Sequence, residues 1–250
     1  MTILEKIAEA KKSGSKVFDV RDQKLHVIPS ELWELTDLEE LILDGNELVD
    51  LPEEVALLKN LKSLSLSEND LMTLPEEIGE LANLENLYAG YNFLTDIPSS
   101  IGKLSKLKKL NIAKNSIVEL PSSIFELKNL EKVSLHDNMI SEIPDSIGSC
   151  ESLSKLYLDN NDITEIPESI GDLGKLEEFV ISGNLLTELP DSITEVESLI
   201  EIMLDENRIG ALPSEMAEMP NLTLISMTNN KLKKAPAAFK KDGLRIVFDK

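Results

Sequence analysis

Residues 61–83 read LKSLSLSENDLMTLPEEIGELAN, and this stretch decides the fold. Leu64 and Leu66 alternate with Ser63, Ser65 and Ser67. That period of two makes a short strand with leucines on one side and serines on the other. Asn69 follows, where the chain turns away from the strand. Backbone groups there lose their strand partners, and a carboxamide supplies both a donor and an acceptor. Leu71 and Leu74 turn inward again, Pro75 opens a returning segment, and Ile78 and Leu81 line its inner side. Glu76 and Glu77 fall in the first turn of a short helical segment, where unpaired N–H groups favour negative charge.

The stretch recurs along the whole chain. Prolines stand at 29, 52, 75, 98, 121, 144, 167, 190, 213 and 236, and asparagines at 46, 69, 92, 115, 138, 161, 184, 207 and 230, all in steps of 23. Only Pro220 lies off its series. Nine units share LPxxIGxLxxLxxLxLxxNxLxx, and this period with L-x-x-L-x-L-x-x-N-x-L marks a leucine-rich repeat solenoid. One unit cannot bury its own apolar edge, so units stack and the ends need caps. The expected fold is an α/β solenoid, a horseshoe with a parallel sheet on the concave face. Short helical or 3-10 turns cover its convex face, and a helix caps its N-terminus.

We read a single domain over 1–250. Residues 1–14 form the cap helix, with Thr2-Ile3-Leu4-Glu5 as a capping box, Ile3, Leu4 and Ile7 on one face and Gly14 as the stop. Residues 15–37 form a degenerate first repeat, with Phe18, Val20, Leu25 and Ile28 in apolar slots and Gln23 in the Asn slot. Nine repeats run over 38–236, and 237–250 close the stack through a helical turn at Ala237–Lys241 and a strand at Leu244–Phe248. Trp33 and Phe125 replace the glycine of units such as Gly79 and Gly102, and are expected to pack between convex turns. Cys150 takes a leucine slot and reads as a buried, inert thiol.

Composition agrees with this reading. The 250 residues hold 42 % apolar but only 4 % aromatic side chains, because thin coils accept Leu and Ile better than rings. A net charge of −21 makes nucleic acid and anionic membranes poor partners. One cysteine cannot form an internal disulfide. No apolar run reaches the ~18 residues of a membrane span, and Glu5, Lys6 and Glu9 interrupt any signal-peptide core at the start.

From Phe18 to Pro236 the repeat resembles the 23-residue class of Ras-associated intracellular leucine-rich repeat proteins, Ras suppressor proteins among them. Many bacterial repeat proteins are similar. The resemblance implies a non-catalytic, cytoplasmic scaffold that grips a protein partner on its concave sheet, in small-GTPase signalling; phosphatase signalling is the further expectation, from the C-terminal motif below, and no cofactor or metal is expected. A monomer is expected. The alternative it leaves open is an exported or surface bacterial protein that binds host or envelope components.

Function is expected on the outward strand positions, since the leucines are committed to packing. The third position of the unit carries Lys109, Lys132 and Lys155 on consecutive strands, a local reversal of sign that Lys108 and Lys114 extend. The fifth carries Tyr88, Asn111, Ser134 and Tyr157. The seventh carries Gly90, Ala113, His136 and Asp159, and Tyr91 and Phe93 lie just beyond in the same unit as Tyr88. Tyrosines favour interface hot spots. An acidic partner segment is therefore expected across Tyr88, Tyr91, Phe93, Lys109, Asn111, Lys132, His136, Lys155, Tyr157 and Asp159, with a shallow dip at Gly90 and Ala113. The opposing expectation is a solvated ladder neutralised by Glu131, Asp137 and Asp159. Glu178, Glu201 and Asp205 form a second candidate patch, acidic and suited to a basic element.

Other constellations carry less. Ser134, His136 and Asp159 have triad composition, but i, i+2 side chains on a strand stand ~6.5–7 Å apart at the backbone, and an open sheet offers no oxyanion hole. A metal site at His136, Asp137 and Asp159 is disfavoured because residues 136 and 137 should face different sides. Asn221-Leu222-Thr223 is a glycosylation sequon without a secretory context. Arg245-Ile246-Val247-Phe248 matches the motif that docks on protein phosphatase 1. Its competing reading is a cap strand with Ile246 and Phe248 turned inward. Residues 230–250 carry seven Lys/Arg against two Asp, a basic end on an acidic chain.

Overall fold

The computed structural model of the chain describes residues 1–239 and 242–249. Each 23-residue unit makes one coil and contributes one three-residue strand. The strands are β1 (Val17–Asp19), β2 (Glu40–Ile42), β3 (Ser63–Ser65), β4 (Asn86–Tyr88), β5 (Lys109–Asn111), β6 (Lys132–Ser134), β7 (Lys155–Tyr157), β8 (Glu178–Val180), β9 (Glu201–Met203), β10 (Leu224–Ser226) and β11 (Arg245–Val247). They form one open, parallel, eleven-stranded sheet in chain order. The register carries each unit position onto itself, as in Ser63↔Asn86 and Asn86↔Lys109. Opposite the sheet, 3-10 turns such as Glu76–Glu80 each follow a proline. The architecture is a horseshoe solenoid.

Its layers follow from the side chains. Inward leucines and isoleucines of every coil are buried in one continuous core, with Phe125 and Phe179 the largest fully enclosed residues. Trp33 is buried as well. The neighbouring turns approach closely where this position is glycine: a Cβ on Gly79 would collide with the Ser100 carbonyl oxygen. At Glu76 the charge at a turn N-terminus works between coils instead of within one. No side chain caps the turn at Glu76–Glu80. Glu76 Oε2 instead accepts a hydrogen bond from the Ser100 backbone N–H at 3.1 Å, one coil further on.

The helix α1 (Ile3–Ser13) covers the first coil, and Ile7 is its buried residue. Thr2 accepts from the Glu5 N–H while the Glu5 carboxylate accepts from the Thr2 N–H, and Gly14 adopts φ 63° to end the helix. At the other end a short 3-10 turn spans Ala237–Phe239. Lys240 and Lys241 of the expected closing turn, and Lys250 of the expected cap, lie outside the described residues. Among the described residues no helix is long and apolar enough to cross a membrane.

Candidate protein-binding surface

Two asparagine rows tie the coils and leave the sheet free. In the buried row, Asn69 Nδ2 donates to the Leu43 and Leu66 carbonyls at 3.0 Å each, and its Oδ1 accepts from the Leu48 N–H at 3.1 Å. The same set recurs at Asn92, Asn138, Asn161, Asn184 and Asn207. Gln23 does not join the ladder with its side chain; its backbone N–H donates to Asn46 Oδ1. Just before each Asn the backbone must reverse, and the preceding residue takes positive φ: Glu68, Tyr91, Lys114, Asp137 and Asn160 all lie between 54° and 57°. This conformation costs an L-residue roughly 1–2 kcal/mol. Tyr91 is the one aromatic among them.

On the concave face the lysine ladder divides. Lys155 Nζ lies 2.9 Å from Glu178 Oε2 on the next strand. The bond holds the Lys155 pKa up. Burial works against ionising Glu178, but Lys155 and Tyr157 keep its carboxyl below the usual range. Glu178, and not Glu131, Asp137 or Asp159, is therefore the neutralising group. Lys108 does not extend the ladder, because it pairs with Glu85 at 2.8 Å on the coil's returning side. Lys109 and Lys132 have no ion pair among the described residues. They are adjacent in register, and Lys132 Nζ stands 4.9 Å from the Tyr157 ring centre. Burial raises the Tyr157 hydroxyl pKa, with Glu178 adding to it.

Tyr88, Lys109, Leu110, Asn111, Lys132 and Ser134 line a concavity of about 230 Å³. It lies beside the expected dip at Gly90, which is filled: a Cβ there would meet the Ala113 carbonyl oxygen at 3.1 Å and Asn111 Oδ1 at 3.3 Å. Tyr91 is half exposed at the strand exit, with Lys114 Nζ 4.5 Å from its ring centre. Phe93 is exposed beyond the buried Asn92 and so lies outside the sheet proper.

His136 and Asp137 do not face apart. Positive φ at Asp137 swings its carboxylate back, and Oδ2 lies 2.8 Å from His136 Nδ1. Partial burial opposes ionisation of Asp137, but the bonds from His136 and Asn160 keep its pKa low. Asp159 is raised by burial, with His136 acting in the other direction. Among the described residues no group of three or more His, Cys, Asp or Glu side chains could hold a metal ion. Ser134 is buried in the sheet. Burial pushes the Cys150 thiol up to about 12.

The acidic C-terminal third is largely engaged with itself. Asp205 Oδ1 accepts from Ser226 Oγ at 2.8 Å and from the Thr228 N–H and Oγ1 at 2.6 and 2.7 Å. Glu178 holds Lys155. Glu201, of the three, keeps its carboxylate without a partner among the described residues. Arg245–Val247 is β11, in register with Leu224–Ser226, and Ile246 and Phe248 are half-buried against the core.

Sequence reasoning missed the flank by which each coil leaves the strand. Met72, Val118 and Met139 are exposed there, beside Phe93. Their signal is the spacing: they flank the buried eleventh slot of the unit, held by Leu71, Ile117 and Ile140.

Comparison with known proteins gives the same fold. The family model described as Leucine rich repeat matches residues 36–94, 105–163 and 174–232, and a two-copy model matches 82–127. No curated protein matches the chain significantly. A leucine-rich repeat protein of Leptospira interrogans is 27 % identical, covering 96 % of this chain and 79 % of its own, with a TM-score of 0.62. The plant peptide hormone receptor RGFR1, solved in complex with RGF2, is 26 % identical at a TM-score of 0.76, over 88 % of this chain and 41 % of the receptor. An internalin of Listeria monocytogenes shares the fold at 18 % identity, TM-score 0.61, over 98 % and 93 % of the two chains.

Proposed function

Because the chain belongs to the leucine-rich repeat family and holds two lysines without an ion pair among the described residues at the centre of its sheet, we propose that its scaffold receives an acidic segment of a partner protein there. The observation that carries this is the adjacency of Lys109 and Lys132 beside Tyr88, with no ion pair to either among the described residues. Like charges side by side on neighbouring strands cost stability. The third lysine is relieved by Glu178, and these two await an external anion. Tyr88 and Tyr157 supply flat apolar walls, and Tyr91 accepts a left-handed backbone to stand at the rim. The plant peptide hormone receptor solved in complex with RGF2 supports a peptide or protein ligand.

We place the scaffold in the cytoplasm as a non-catalytic monomer, in small-GTPase signalling on the strength of the 23-residue resemblance. The second reading is a bacterial surface or exported binder, and the likeness to a bacterial leucine-rich repeat protein, that of Leptospira, supports only its bacterial part. Docking of a phosphatase through Arg245, Ile246 and Phe248 is the weaker reading, since β11 would have to leave the sheet.

The test uses a fluorescent decapeptide of glutamates flanking one tyrosine, titrated with the chain. The variant Tyr88→Ala/Lys132→Ala/Tyr157→Ala is expected to bind at least tenfold more weakly, about 1.4 kcal/mol. Unchanged affinity in a variant with an unchanged melting profile overturns the reading.

A further inference from the structure

The side of each coil that leads from the strand to the convex turn differs from the side that returns. On this outgoing flank, unit positions ten and twelve point out on either side of the buried position eleven. Five of the twelve exposed large hydrophobic side chains of the described residues fall in these two positions: Val49, Met72, Phe93, Val118 and Met139. Scattered singly, exposed apolar residues mean little. These are joined by coil-to-coil backbone bonds: Phe93 N–H to Leu71 at 2.9 Å, Thr95 to Met72 at 3.3 Å, Ser116 to Leu94 at 2.8 Å, and Met139 to Ile117 at 2.9 Å. One exposed apolar side chain therefore stands on each of four consecutive coils, from Met72 to Met139, alternating between positions twelve and ten. At ~4.8 Å per step they span about 14 Å. Farther along, the same positions hold Asp162, Thr164, Leu185, Thr187, Arg208 and Gly210, of which Leu185, half-buried, is the one large apolar side chain.

A second row runs beside it. Unit position thirteen carries Asp50, Asp96, Glu119, Glu142, Glu165 and Glu188. None makes an ion pair among the described residues. The returning flank is the opposite: Lys62–Glu39, Lys59–Glu80, Lys108–Glu85 and Lys128–Glu151 are all paired. Four lysines of the returning flank are spent on pairs there, whereas the carboxylates of position thirteen, against the apolar side chains, have none among the described residues.

We propose that the outgoing flank between Met72 and Met139 is a second docking surface, occupied by an amphipathic segment of a protein partner rich in lysine or arginine. Its apolar stripe covers Met72, Phe93, Val118 and Met139. Its cations meet Asp96, Glu119 and Glu142. About ten helical residues, at 1.5 Å each, match that span. Methionines suit such a contact because their flexible thioethers conform to varied partners. The carboxylate row selects against an anionic membrane, so a protein segment is the occupant.

The probe is a synthetic helical peptide of leucines and lysines with one benzoyl-phenylalanine on its apolar stripe. A scrambled peptide of identical composition is the control, and zwitterionic vesicles are a third arm. The chain is expected to bind the amphipathic peptide at least tenfold more tightly than the scrambled one, and light should cross-link it to Met72 or Met139. Met72→Ser/Val118→Ser/Met139→Ser should erase that preference while leaving the melting profile intact, the three side chains being exposed. Glu119→Gln/Glu142→Gln should lower the salt dependence of binding. Equal binding of both peptides, an unaffected serine variant, cross-links elsewhere, or patch-dependent capture by vesicles each overturns the proposal.

Discussion

The two flanks of the solenoid are built on one 23-residue frame and tie their coils in opposite ways. The outgoing flank hides its ties: each Asn of the buried row makes its bonds beneath the surface, as Asn92 does to Leu66, Ala89 and Leu71. The returning flank wears its ties outside. Asn60, Asn83, Asn129 and Asn221 donate to a carbonyl of the previous coil from exposed positions, and lysine–glutamate pairs run beside them. A flank whose cohesion is internal has an exterior free to diverge, and the apolar and acidic rows stand on that one. A flank held from outside has little surface to offer a partner.

The comparison is open to attack at each tie. The largest effect is expected from Asn92→Ala, which strands several buried carbonyls and the Leu71 N–H. Roughly 3 kcal/mol should be lost. Asn83→Ala, on the exposed row, should cost about 1 kcal/mol or less, since water replaces its bond to the Lys59 carbonyl at 2.8 Å. Urea melts of the two variants measure the difference, and equal losses would dissolve the distinction between internal and external ties.

A smaller effect belongs to the charged pairs. Glu85→Gln should shift the melting midpoint slightly at low salt. The shift should vanish near 1 M salt, where the screening length is about 3 Å. A salt-independent loss would mean that the pair does more than bridge coils.

The smallest effect lies on the sheet between the flanks, at Asp159. Its pKa is raised by burial, so between the ordinary carboxylate value and the raised one the folded chain holds more protons than the unfolded chain. Stability through this group falls as pH rises across that window, and its full cost is present above it. Asp159→Asn should remove the slope and leave the chain slightly more stable at neutral pH, read from melts between pH 3 and 7.

The sequence made the coil legible because packing allows few solutions. A leucine in a thin coil has one place to go, and an Asn at the exit of a strand has one set of carbonyls to satisfy. The register of the sheet, the ladder and the burial of Trp33 and Phe125 follow from spacing alone. The surface was less legible, because long side chains choose among partners. Spacing put Lys155 beside Lys132 but did not show that it would turn toward Glu178. Alternation set His136 and Asp137 apart, and a left-handed residue brought them together. Glu76 reads as a cap for its own turn until the next coil is in place. The apolar side chains of the outgoing flank escaped because each looks ordinary alone, and only stacking assembles them.

The identical joints carry one further consequence. From Asn46 to Asn230 each coil grips the one before it through the same asparagine bonds, so these bonds do not record a position in the stack. A coil gained or lost by duplication or deletion would slide everything beyond it by a whole step and disturb nothing within a step. The separation between the lysine pair and any feature farther along is thus quantised. This molecule can alter the spacing of its contacts only in fixed increments, as a ruler does, and never by stretching.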